Sequence, residues 1–291
     1  MNSLNEEWRL NLPQILTLPD FGLDDVDADS YGNVYVSDSV NSCVYKFAPS
    51  GMPLGSFPVN YPSFSANEGF LMNLAVDGNA NFLISDGHNG LVLKYDGYGN
   101  LLDQYWTPGV LTICAESTGK VYALTNSGGI ERIECYSEDG TLADILPAPQ
   151  RNRSQSDPSL LNLDVDAQGN VYMSEGTPPY RIWRIRADGS QIETLERYID
   201  FPEDAILIAD IGVDRATGNV YSLLACKEAG QQIVDCFSPD GEYLGMLGVP
   251  HSETMYSVMC VSPDSGLYLL DTSTGPGGGD LMRTSREKPQ F

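Results

Sequence analysis

Residues 32–38 read GNVYVSD, and the phrase returns as GNVYMSE at 169–175 and as GNVYSLL at 218–224. Setting Tyr35 beneath its counterparts gives Leu83 (NFLISD), Tyr122 (KVYALT), Tyr172, Tyr221 and Tyr268 (GLYLLD). Successive spacings are 48, 39, 50, 49 and 47 residues, so the chain repeats a unit of just under fifty residues six times. Periods of this size belong to propellers and solenoids.

Each unit keeps one internal order around that phrase. A short apolar run ends in a Val-Asp-like pair: Val26-Asp27, Val76-Asp77, Ala115-Glu116, Val165-Asp166, Val213-Asp214 and Val261-Ser262. A polar turn, usually with Gly (SYGN, STGK, AQGN, ATGN), leads into the repeated strand. A third run alternates apolar and polar residues, as in Val44-Tyr45-Lys46-Phe47 and Ile182-Trp183-Arg184-Ile185; a turn ending in Gly and a fourth run close the unit. Period-two alternation and Gly/Asp/Ser/Pro turns mark strands, and no segment carries the 3.6-residue period of a long helix. The expected fold is therefore all-β: a single domain over 1–291, built as a six-bladed β-propeller of four-stranded antiparallel blades.

The last unit is short of one strand. After Leu281-Met282-Arg283-Thr284 the chain runs SREKPQF, while Trp8-Arg9-Leu10-Asn11-Leu12 is a surplus strand-like stretch ahead of the first unit. An open strand edge leaves backbone groups unsatisfied. Residues 8–18 are thus expected to form the outer strand of the last blade and to latch the ring.

Composition narrows the function. Of 291 residues 42% are hydrophobic, a globular value, and 40 Asp and Glu against 16 Lys and Arg give a net charge of −24. Nucleic-acid binding draws on Lys and Arg to displace counterions, so this surface disfavours nucleic acid and, for the same reason, anionic membranes. No stretch has the length and apolarity of a membrane span, and the N-terminus lacks a basic region followed by an apolar run; the cytoplasm is the expected compartment. The six cysteines form no CxxC and are expected to be buried thiols.

The segments 23–57 (LDDVDADSYGNVYVSDSVNSCVYKFAPSGMPLGSF), 74–102 and 163–190 resemble the NHL-repeat family of six-bladed propellers, and the likeness extends over nearly the whole chain. It implies the ring fold; its members include binding modules, scaffolds, sensors and enzymes, so it does not fix an activity. Thr125 and Leu224 stand where the family usually has Asp, which makes the top face asymmetric.

In such a ring the first strand of each blade lines the channel, and the loops entering strand one and leaving strand two share a face. Three residues before the Val of the Val-Asp pair stand Asn73, Thr112, Asn162 and Asp210, with Leu23 and Val258 completing the set. Asn73, Asn162 and Asp210 are candidate oxygen ligands for Ca²⁺ or Mg²⁺, with water-filled channel lining as the competing reading. In the first unit a one-residue bulge would bring Asp24 or Asp25 into the ring. Asp38, Asp86, Glu175 and Asp271, leaving the second strands, are expected to cap turns. The loops offer binding residues instead: Tyr61, Phe64, Arg151, Arg153, Tyr180 and Tyr198, of the types that anchor interfaces, with His88 and His251 on the same face. Two histidines rule out a three-His zinc site within one chain.

No Ser-His-Asp, Cys-His, Walker or dinucleotide signature occurs. The sequence points to a non-catalytic module that holds a protein, peptide or small ligand on its loop-rich top face. The alternative is a metal-dependent hydrolase resembling gluconolactonase-type propellers, in which a Glu, an Asn and an Asp surround a channel cation. Asn162 and Asp210 are of suitable type; the early glutamate has no match unless Asp24 or Asp25 replaces it.

Overall fold

The computed structural model describes residues 2–60, 72–149, 162–175, 181–195, 205–226, 232–250, 255–274 and 278–286. Six blades of four antiparallel strands surround a channel. Blades 1 to 4 occupy 23–58, 74–106, 110–147 and 163–195, with their strands paired in chain order. Blade 5 (205–248) and blade 6 (258–286) share one eight-stranded sheet through the N-terminal strand.

The repeated tyrosines set the register. Tyr35, Leu83, Tyr122, Tyr172, Tyr221 and Tyr268 pair across the first two strands with Asp27, Ala75, Cys114, Asp164, Gly212 and Cys260. All six second-strand residues are buried between blades, where burial of such side chains contributes about 1.5–3 kcal/mol each. The hydroxyl of Tyr268 donates to the Gly32 carbonyl at 2.8 Å and so joins the last blade to the first.

This register corrects the first unit by two residues. The counterpart of Val76-Asp77 is Ala28-Asp29, not Val26-Asp27. Asp29 accepts from the backbone N–H groups of Tyr31 (3.0 Å) and Asn33 (2.9 Å), as Asp77 does from Asn79 and Asn81 and Asp166 from Gln168 and Asn170. Gly32 follows at φ +81, a conformation that a β-carbon disfavours. Lys46 lies 3.6 Å from Asp29, and Lys94 lies 3.3 Å from Asp77, so each of these buried carboxylates faces an ammonium.

The N-terminal strand closes blade 6, but it spans Asn2–Asn11 rather than 8–18. It runs antiparallel to Asp280–Arg286, with Leu10 opposite Leu281, and its first residues pair in parallel with Tyr243–Gly248 of blade 5. The strand stops where the chemistry requires it. Asn11 Oδ1 accepts from Gln14 N at 3.1 Å, capping the single helical turn Leu12–Leu16, and Pro13 has no N–H to extend a ladder. Trp8 packs on Tyr268 with ring centroids 5.9 Å apart and donates to Pro49 O of blade 1 at 2.9 Å, so the latch touches three blades. Among the described residues, no helix is long and apolar enough to cross a membrane.

Candidate functional site at the channel mouth

The inner strand of every blade is a sheet edge, with N–H and C=O groups directed at the channel. Polar side chains of the preceding blade satisfy many of them. Asp25 Oδ2 accepts from Leu74 N (2.8 Å), Asp27 Oδ2 from Val76 N (2.7 Å), Asp164 Oδ2 from Val213 N (2.6 Å) and Asp210 Oδ2 from Met259 N (2.7 Å). Each bond spans 49 residues, one blade to the next, and in each aspartate Oδ1 accepts from the next residue's own N–H. Where a carbonyl needs a donor the ring holds an amide. Asn73 Nδ2 donates to Leu111 O at 2.9 Å, and Asn162 Nδ2 to Ala209 O at 2.7 Å. Residue type thus follows the backbone group to be satisfied: a carboxylate for N–H, an amide for C=O.

By register the upper ring is Asp25, Asn73, Thr112, Asn162, Asp210 and Val258, and the ring beneath it is Asp27, Ala75, Cys114, Asp164, Gly212 and Cys260. Three of the inner strands shift register in this layer, between Leu23 and Val26, Val110 and Thr112, and Ile208 and Asp210. Bulges of this kind re-aim side chains. In blade 1 the bulge gives the ring position to Asp25. Asp24 stands beside it at the mouth and takes both the N–H (2.8 Å) and the hydroxyl (3.1 Å) of Ser39.

Above and between these rings lies a cavity of about 610 Å³. Its walls are apolar side chains such as Leu74, Ile113, Leu163, Ile211 and Met259. Six aspartates, Asp24, Asp25, Asp27, Asp164, Asp210 and Asp271, also line it, and its described lining contains no basic residue. Below it Arg215 of blade 5 crosses the channel to the opposite side, donating to Ala115 O (2.8 Å) and Val76 O (3.4 Å) and approaching Asp27 at 3.9 Å. Arg215 thus ties blade 5 to blades 1, 2 and 3 beneath the cavity.

Burial dominates the electrostatics. It raises Asp25 to about 8 and Asp24 to about 7, with the bonds from Ser39 opposing the shift of Asp24. Asp164 rises to about 6 and Asp27 rises as well, both held back chiefly by Arg215. Asp210 goes well above the ordinary carboxylate range, through burial and then through Asp25. Near neutral pH burial thus favours the protonated form of Asp25 and Asp210 in the upper ring, and the cavity's described lining offers them no basic residue.

All four proposed metal ligands, Asn73, Asn162, Asp210 and Asp24, line this one cavity. As a cage for a divalent ion they fit poorly. Each Asp210 oxygen already accepts a backbone N–H and Asp24 is held by Ser39. Among the described residues no three His, Cys, Asp or Glu side chains gather as a metal cluster, whereas Ca²⁺ takes about six to eight oxygens. His88 is exposed and not part of the cavity lining. Tyr61, Phe64, Arg151, Arg153, Tyr180, Tyr198 and His251 lie outside the described residues. Asp38, Asp86 and Asp271 do cap turns, accepting from the backbone N–H groups of Asn41, Asn89 and Ser273.

Asp25 was one of two alternatives in the sequence, with Asp24, whereas Asp27, Asp164 and Arg215 were not singled out as channel residues. The recurring 49-residue offset between an Asp and an apolar residue was the available signal for Asp27 and Asp164, and for choosing Asp25. For Arg215 it was its place after the turn carboxylate, where the other units have Ser30, Gly78, Ser117, Ala167 and Pro263. That position is crowded: a β-carbon on Gly78 would sit 2.1 Å from Ser117 O.

No family model matches the chain, and no curated protein matches it in sequence. Solved structures do match its fold. Regucalcin from Agrobacterium tumefaciens strain C58, described as a calcium-binding protein, is 15% identical with a TM-score of 0.64 over 99% of this chain and 96% of its own. Virginiamycin B lyase from Staphylococcus aureus is 15% identical with a TM-score of 0.59, over 90% of this chain and 80% of its own. A gluconolactonase from Xanthomonas campestris is 16% identical with a TM-score of 0.55, over 91% and 87%. At these identities the likeness establishes an architecture shared by proteins of different chemistry.

Proposed function

We propose that this chain is a non-catalytic binding propeller, an NHL-type ring that holds a small ligand, or a side chain of a peptide or protein, at the mouth of its channel. The observation that carries the reading is the apolar-walled cavity, whose polar groups are tied up in joining blade to blade. Small-molecule sites have this form, a mostly apolar hollow of about 300–1,000 Å³ with few converging polar groups. The acidic surface disfavours nucleic acid as the partner. Ligands that raise the melting temperature of the wild type should lose that effect in Leu207→Trp, which narrows the lining. Retention of the effect in that variant overturns the channel reading. A partner lost on replacing Tyr61 and Phe64, but retained in Leu207→Trp, would move the binding surface to the loops.

The likeness to regucalcin and gluconolactonase favours a second reading, a divalent-cation-dependent hydrolase using Asn162 and Asp210. It requires Asp210 to share oxygens that now hold Ile211 and Met259 N–H. A ligand that binds only the folded chain must raise its melting temperature. Ca²⁺ or Mg²⁺ added after chelator treatment should therefore raise it if this reading holds, and Asn162→Ala should remove the rise together with any lactone turnover.

A further inference from the structure

We propose that the channel-mouth cavity selects a monovalent organic cation, an amine with an apolar body, whose ammonium group is received at the upper ring by Asp25, Asp210 and the hydroxyl of Thr112. The inference rests on the reading of the cavity as a ligand site and adds the chemistry of the ligand.

Three independent features converge on it. The first is the imbalance of charge. Six aspartates line the cavity with no basic residue among its described lining, and Arg215 is engaged below with Asp27 and two carbonyls. The second is Thr112. It occupies the ring position of blade 3, lines the cavity and is 6% exposed, yet its hydroxyl makes no hydrogen bond among the described residues. It is not one of the fully buried unpaired polar atoms, so it opens on the cavity, where its oxygen can accept from an ammonium group. The third is the shape of the acceptor set. Asp25 and Asp210 each accept one N–H per oxygen and face the cavity from two sides, an open acceptor set rather than a stripped cage. A divalent ion needs about six to eight oxygens in its shell, whereas an ammonium needs about three acceptors and tolerates apolar walls.

The test is calorimetric titration of the whole chain with three matched probes, phenethylamine, phenethyl alcohol and hydrocinnamate, at pH 8. Phenethylamine should bind about tenfold tighter than the alcohol, with hydrocinnamate weakest, as expected for a charge met in a dry site. Asp210→Asn should erase the preference for amine. Thr112→Val, which leaves the backbone seams intact, should weaken amine binding about threefold or more. Equal binding of amine and alcohol, or unchanged amine binding in Thr112→Val, overturns the inference and leaves the cavity reading standing. Failure of all three probes to bind at about ten millimolar overturns both. A melting-temperature rise with Ca²⁺ alone, removed by chelator, overturns the amine site in favour of a divalent one.

Discussion

The turn aspartates and the channel aspartates are the same side chain put to opposite uses. Asp29 and Asp77 accept from backbone two and four residues ahead and from a neighbouring Asn side chain, and each sits beside a lysine. Every bond is local and the charge is answered. Asp25 and Asp210 reach one blade onward, accept two N–H groups, and meet no basic residue in the described cavity lining. The turns answer their carboxylates locally, while burial in the channel favours the protonated form of its acids. A carboxylate is therefore read by what surrounds it, and the unanswered kind is the one with something left to offer a ligand.

The contrast can be broken at several points. Removal of residues 1–18 sets the scale, because it strips the closing strand while leaving both kinds of aspartate in place. We expect a melting temperature lower by about ten degrees or more, or loss of the soluble monomer, measured by calorimetry. An unchanged transition contradicts the latch. Next in size is Asp77→Ala, which deletes a turn acceptor and leaves the buried Lys94 unpaired. Denaturant unfolding should show a loss of about 3–5 kcal/mol, well above that of any single channel substitution.

Arg215→Met should cost about 1–3 kcal/mol at pH 8 and less at pH 5. Asp27 and Asp164 lose their partner, and the cost shrinks as they protonate. A loss that does not depend on pH would mean that Arg215 acts by packing alone. The smallest effect belongs to Asp25→Asn and is seen in the slope of stability against pH. The folded chain holds the Asp25 proton up to about pH 8, far above the unfolded value near 3.8. Between those limits the native state binds more protons, so this group's contribution is fully present at low pH and is lost as the pH rises through about 8. Asp25→Asn should flatten the fall of wild-type stability between pH 5 and pH 8.5. A variant that tracks the wild type would place Asp25 among the ordinary, answered acids.

Much of this was legible beforehand, for a physical reason. The repeated tyrosine and its flanking valines are buried on both faces of each blade, so their spacing had to persist through six copies. The ring residues Asn73, Thr112, Asn162 and Asp210 followed from that register. The first unit did not. Its sequence LDDVDAD offers two frames, each ending an apolar-acid pair before a turn, and local chemistry does not choose between them. The pairing of Asp27 with Tyr35 and the bulge after Leu23 do. The closing strand was placed in the right region but begun too late, because the polar residues Asn5, Glu6 and Glu7 hide a strand that is paired along one edge.

The sequence by itself determined the number of blades, the strand order, the turn chemistry and the need for a strand from the far end of the chain. These follow from repetition, alternation and a missing element, all of which are one-dimensional. Only the tertiary structure decided which aspartates meet across a blade boundary, that Arg215 ties blade 5 to blades 1, 2 and 3, and that the Thr112 hydroxyl opens on the cavity. Those facts depend on groups 49 or more residues apart arriving at the same few ångströms, and on how much water is excluded when they do.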